Sequence, residues 1–141
     1  MDQHFILKLH FSSTLYMVGV ICFIQYIHYP LFSLVGKDQF IHYHAKHIEL
    51  TSVVIAIPML VECLTMFYLL AFTPALRVDK FFILSAVLLL IIWMVTFIIS
   101  VPQHNILGQG FEQKAFHTLV STNWIRTIAW VARAVILFKF I

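Results

Sequence analysis

Long apolar runs alternate along the chain with short polar breaks. The runs occupy roughly residues 5–29, 38–72, 81–101 and 111–140. At about 1.5 Å per helical residue, each can cross a hydrocarbon layer of about 30 Å. The breaks carry stop and start signals. Pro30 and Pro102 lack the N–H that would continue a helix, so the first run is expected to stop at Tyr29 and the third at Val101. Gly36 and Asp38 supply loop and cap chemistry before the second run, and Pro74 follows its end. Pro58 inside the second run removes one backbone hydrogen bond and predicts a kink. The expected fold is all-α: one antiparallel four-helix bundle integral to a membrane, spanning residues 1–141, with a long, Pro-kinked second helix.

The second run is the one with unusual chemistry. At about 100° per residue, His44, His47, Thr51, Pro58 and Glu62 fall close to one helical face. Read as one helix, residues 40–72 measure about 50 Å, so the histidines stand near the water boundary while Glu62 lies near mid-membrane. The third run, FFILSAVLLLIIWMVTFIISV, is almost purely apolar and is expected to supply packing. The fourth holds Asn123, Arg126 and Arg133, polar groups that a lipid-facing surface does not carry, so they are expected to face the interior.

Composition agrees with this pattern. Of 141 residues, 62% are hydrophobic and 11% charged, too apolar for a soluble domain of this size. A net charge of +3 from scattered Lys and Arg forms no basic stripe, which excludes a nucleic-acid surface. Cys22 and Cys63 lie inside expected spans and read as buried thiols, without a disulfide framework. The N-terminal run lacks a small-residue cleavage site and reads as a retained span. Lys8, Arg77, Lys80 and Lys139 fall on one side, against Lys37, Lys46 and Lys114 on the other. That bias places the termini in the cytoplasm of a plasma or inner membrane.

Helices that alternate in direction bring His28, His44, His47 and His104 to one end. His44 and His47, at i and i+3, can face one ion, and neutral imidazole is the commonest metal ligand. These four are the candidate ligands of a transition metal ion (Zn, Cu or Fe) or haem, with Gln25, Tyr29, Asp38, Tyr43, Glu49 and Asn105 as possible supporting partners. His42 faces elsewhere, and His42, His4 and His117 read as solvated surface; an interfacial rim is also an alternative for the tetrad itself. Glu62, Arg126 and Asn123 are the candidate catalytic residues. By depth, Arg126 is the expected partner of Glu62, in either a catalytic pair or an ion pair that pins two helices. Trp93, Phe97, Trp124, Trp130 and Tyr26 could line a cavity for an aromatic or quinone-like molecule, or simply belong to the core.

Three short stretches carry a family resemblance: YPLF at Tyr29–Phe32, VPQHNILG at Val101–Gly108 and TNWIRTIAW at Thr122–Trp130. Together they resemble the small four-helix membrane proteins grouped with the anthrone oxygenases. The matching positions are Pro30, Pro102, Asn105, Asn123, Arg126 and Thr127. The resemblance implies the same fold and, as in some members, oxygenation of polycyclic aromatic phenols. The chain departs from that pattern in opening its second helix with a histidine cluster. Three functions therefore stand as expectations: a metal-dependent membrane oxidoreductase or oxygenase acting on a hydrophobic small molecule, a non-enzymatic subunit of a homo-oligomer or larger complex in the lipid bilayer, and proton conduction through Glu62.

Overall fold

The computed structural model describes every residue except Met1 and is helical throughout, with no strand among the described residues. We number five helical segments: α1, Gln3–Leu34; α2, Lys37–Phe72; the short α3, Pro74–Val78; α4, Lys80–Leu107; and α5, Gln113–Phe138. Of these, α1, α2 and α4 are long and apolar enough to cross a membrane, and the chain is on that ground a membrane protein. Helix α5 falls outside this class, and Asn123, Arg126 and Arg133 within it are the reason its composition differs.

Caps define the starts. The side chains of Asp2, Asp79 and Glu112 each accept hydrogen bonds from backbone N–H groups in the first turn that follows, satisfying donors with no partner inside the helix. The bonds from Phe82 and Phe81 hold the Asp79 carboxyl below the ordinary carboxylate range, so this cap is lost only as pH falls through that lowered value. Helix α2 passes through Pro58 as one uninterrupted α-helix.

Two sequence expectations are corrected at Pro30 and Pro102. Neither proline ends its helix. In α1 the five residues Ile24–His28 widen into a π turn, with the Tyr29 N–H bonded to the Ile24 carbonyl; in α4 Thr96–Ser100 do the same, with the Val101 N–H bonded to the Thr96 carbonyl. A proline offers no N–H to the carbonyl four residues back and crowds it, and a wider turn just before it relieves both problems. The helices continue to Leu34 and Leu107, so the stretch QHNIL is helical and only residues 108–112 connect α4 to α5.

The π turn of α4 also resets which face is buried. In α4 the buried positions jump by five, from Val95 to Ser100, across the π turn, whereas in α1 Ile24 and Gln25 are both buried and Tyr29 follows Gln25 by four. The extra residue turns the rest of α4 by about 100°, which carries Ser100 inward.

Packing follows the order α2, α1, α5, α4, while α2 and α4 barely touch. Three apolar layers stack along the long axis. One end holds Phe32, Phe40, Leu107 and Phe116, the middle holds Met17, Met59, Ile92 and Trp130, and the far end holds Leu7, Leu69, Phe82 and Leu137. Each layer draws from all four long helices, and successive helices enter from opposite ends. In lipid such layers are held by close van der Waals contact, since the surroundings are as apolar as the side chains. Cys63 is exposed on the outer surface and Cys22 is half-buried, so the thiols are free but not both buried as expected.

The turn after α4 depends on one glycine. Gly110 has φ +143°, a conformation that side chains with a Cβ rarely adopt, whereas Gly108 has φ −64° and room for a Cβ at ordinary contact distance. Gly110→Ala is expected to destabilise the fold by about 1–3 kcal/mol, and Gly108→Ala to change it little. Thermal unfolding of the two variants in one detergent checks this, and equal midpoints would contradict it.

Candidate functional site

The four histidines singled out from the sequence do converge. His28 comes from just before Pro30, His44 and His47 from the opening turns of α2, and His104 from α4 beyond its π turn. Ring centroids lie 4.7 Å apart for His28 and His47, 5.9 Å for His44 and His47, 5.3 Å for His44 and His104, and 5.4 Å for His47 and His104. Phe32 packs against all four rings. His44 and His47 are buried, as the i, i+3 reading requires, and His42 is exposed. His4 and His117 are exposed too.

The ring nitrogens meet in pairs. His28 Nε2 and His47 Nδ1 are 2.7 Å apart, and His44 Nε2 and His104 Nδ1 are 3.1 Å apart. Each pair shares one hydrogen, because two ring nitrogens that close need one donor and one acceptor. His47 Nδ1 also lies 3.0 Å from the Thr51 hydroxyl, and His104 Nε2 lies 3.1 Å from that of Tyr29. A tetrahedral ion about 2.0–2.1 Å from each nitrogen would set nitrogen pairs about 3.3 Å apart, so the His44–His104 pair nearly matches while His28 and His47 would have to part slightly. Among the described residues, no three His, Cys, Asp or Glu side chains already present their donors as a formed metal site.

The expected supporting partners divide. Tyr29 reaches His104, and Asn105 lines the adjoining cleft. Glu49 instead forms an exposed ion pair with Lys46 at 2.7 Å. Gln25 bonds to Asn123 and to the Val120 carbonyl, while Tyr43 packs on Phe32 and Asp38 sits in the first turn of α2.

Between α2 and α4, where direct packing fails, runs a cleft of about 430 Å³. His47, Tyr29 and His104 stand at the histidine level; Ile55, Ala56, Met59, Leu60, Trp93 and Phe97 form its apolar walls; Ser100 and Arg126 supply polar atoms. Leu60 and Phe97 are also exposed, so the cleft opens on the apolar flank. Of the aromatic residues considered for such a cavity, only Trp93 and Phe97 line it. Trp130 is fully buried in the middle layer, and Tyr26 packs edge-on against Trp124 elsewhere on the surface.

Glu62 has a different partner from the one expected. Its carboxylate is paired with Arg133, both side chains being fully buried. The Thr14 hydroxyl and the Trp130 indole N–H also donate to it, at 2.6 and 3.0 Å. Arg133 donates to His10 Nε2 at 3.1 Å, which leaves His10 Nδ1 to carry the hydrogen given to Thr65 Oγ1 at 2.7 Å. His10, Thr14 and Thr65 were missed in the sequence, although His10, Thr14, Met17 and Ile21 follow the helical repeat of one buried face.

Arg126 lies apart from that network. It donates to Ser100 Oγ at 3.1 Å, stands beside the Tyr29 hydroxyl and lies 5.5 Å from the Trp130 ring centroid. No carboxylate pairs with it among the described residues. Asn123 donates to Gln25 Oε1 at 2.8 Å and does not line the cleft.

No family model, curated protein or solved structure matches the chain.

Proposed function

We propose that this chain is a small membrane oxidoreductase or oxygenase in which His28, His44, His47 and His104 hold one transition metal ion, and that its aromatic or quinone-like substrate enters the α2–α4 cleft from lipid. The observation that carries this reading is the meeting of four imidazoles from three helices at the end of an apolar cleft. The donor set is nitrogen-only and free of carboxylates, which suits copper, iron or zinc; of these, copper and iron would supply redox chemistry. Phe32 packs against all four rings, where a porphyrin plane would have to displace it and a single ion needs only a small parting of the rings, so haem is the weaker candidate. Tyr29, on the far nitrogen of His104, would fix that ring's orientation, as outer partners of metal ligands do.

In this reading α5 also crosses the membrane, its polar groups satisfied inward, which completes an antiparallel four-helix bundle with the termini cytoplasmic. Pro58 marks the place where α2 would bend. Of the six positions that carry the resemblance to the anthrone-oxygenase group, Asn123 and Thr127 lie off the cleft and the other four bear on the proposed site. Asn105 and Arg126 line the cleft, and Pro30 and Pro102 follow the π turns.

Elemental analysis and an absorption spectrum of protein purified after growth with ample copper, iron and zinc test the proposal. About one ion per chain is the expected result for a site of this donor number. The second reading, a non-enzymatic subunit of a larger membrane complex, is favoured by the head-to-head histidine pairs, which already satisfy one another. Metal-free protein would decide for it.

A further inference from the structure

We infer that the α2–α4 cleft binds an amphiphile with a single anionic oxygen head, and that Arg126 is the residue that pairs with that head. The inference rests on the cleft being a ligand site and is independent of whether the histidines hold metal.

Charge sets the argument. Among the described residues, the buried side chains of Asp, Glu, Lys and Arg are Glu62, Arg126 and Arg133, and the buried Tyr29 beside Arg126 is a neutral phenol that brings no counter-charge. Glu62 and Arg133 neutralise each other, so Arg126 is left as an unbalanced cation. A guanidinium does not give up its proton in a protein, so burial cannot neutralise it as it would a lysine. A buried charge without a counter-charge is costly in a membrane protein, and such residues mark ligand or ion pathways. Arg126 is 4% exposed, and the surface it keeps faces the cleft it lines.

Its hydrogen bonds are incomplete as well. The Nε–H of Arg126 has no acceptor, and neither has the Nε1–H of Trp93, the indole on the same cleft. Tyr29 and Ser100 add hydroxyls, and no Asp or Glu lines the cleft. The wall is therefore rich in donors and lacks negative charge, which is the complement of an ionised carboxylate or phenolate. Below the head the walls are aliphatic and aromatic, and a volume of about 430 Å³ is ordinary for a small-molecule site. A neutral quinone or hydrocarbon would leave the charge of Arg126 unanswered.

Two matched pairs of probes test this and separate the sources of the anion: oleate against oleyl alcohol, and an alkyl hydroxynaphthoquinone ionised at neutral pH against the same alkyl naphthoquinone without the hydroxyl. Binding to the full chain in neutral detergent is followed by tryptophan fluorescence, before and after chelator treatment. In at least one pair the anion should bind tighter than its neutral partner by about tenfold or more, as charge-assisted hydrogen bonds allow; the favoured pair identifies a carboxylate or a phenolate. The preference should persist after chelation, fall to less than about twofold in Arg126→Gln and survive in part in Arg126→Lys. Equal binding of anion and neutral in both pairs overturns the inference, as does a preference that survives in Arg126→Gln. A preference abolished by chelation also overturns it, because the anion would then be bound to metal; metal analysis of the same samples reports separately on the histidine site. If Arg126→Gln does not fold, the pairwise comparison in the parent and in Arg126→Lys still decides.

Discussion

Glu62→Gln is expected to destabilise the fold by about 3–5 kcal/mol, because it strips a fully buried arginine of its counter-charge. The amide keeps the size of the carboxylate and can still accept from Trp130. What it loses is the charge opposite Arg133, a residue whose Nε already lacks an acceptor and whose other neighbour, His10, is a neutral ring in this arrangement. Replacing Arg133 with Met in the same chain removes the stranded cation and should recover most of the loss. The coupling between the two changes is expected to exceed about 1 kcal/mol. Adding Arg126→Gln to Glu62→Gln should instead be additive within about 0.5 kcal/mol, since the two side chains share only the Trp130 ring. Equilibrium unfolding in a mixed micelle measures all five variants, the three single and two double changes. Coupling to Arg126 with additivity at Arg133 would contradict the pairing. None of the side chains in the network around Glu62 lines the α2–α4 cleft, and their hydrogen bonds tie α1, α2 and α5 together.

The second large effect concerns metal. His44→Ala and His47→Ala should each reduce bound metal from about one ion per chain to a trace, since loss of a ligand leaves at most three nitrogens and an open position. His42→Ala should leave occupancy unchanged, because that ring is exposed on the other side of the same helical turn. Tyr29→Phe removes only the hydroxyl that meets His104 Nε2 and should weaken affinity about 10–100-fold, the usual cost of losing an outer partner of a ligand. Metal content and competition with a chelator report all four. Equal occupancy in the three histidine variants would return the cluster to an interfacial role.

Much of this architecture is written in local pattern. Apolar run length and the polar breaks determined four long helices and their order, because a hydrocarbon layer demands about twenty apolar residues per crossing and admits no unpaired backbone. Short connections with alternating direction determined that His28, His44, His47 and His104 share one end, since no other arrangement of such rods is available. The i, i+3 spacing determined that His44 and His47 point the same way and His42 does not.

Tertiary structure decided the rest. A proline's effect on its helix depends on whether neighbours hold the chain beyond it. Here the segments after Pro30 and Pro102 pack onto Phe40 and Phe116, so the helices widen into π turns and go on where local rules expect an end. The turn in α4 brings Ser100 to the buried face. The choice of Arg133 over Arg126 as the partner of Glu62 was likewise beyond counting residues: the two arginines are seven positions, about two turns, apart and share a face. Which of them meets Glu62 depends on how far α2 and α5 slide along α1, the helix packed between them. The cleft exists for the same kind of reason. It forms where α2 and α4 fail to meet, and a missing contact between two apolar surfaces has no signature in either one.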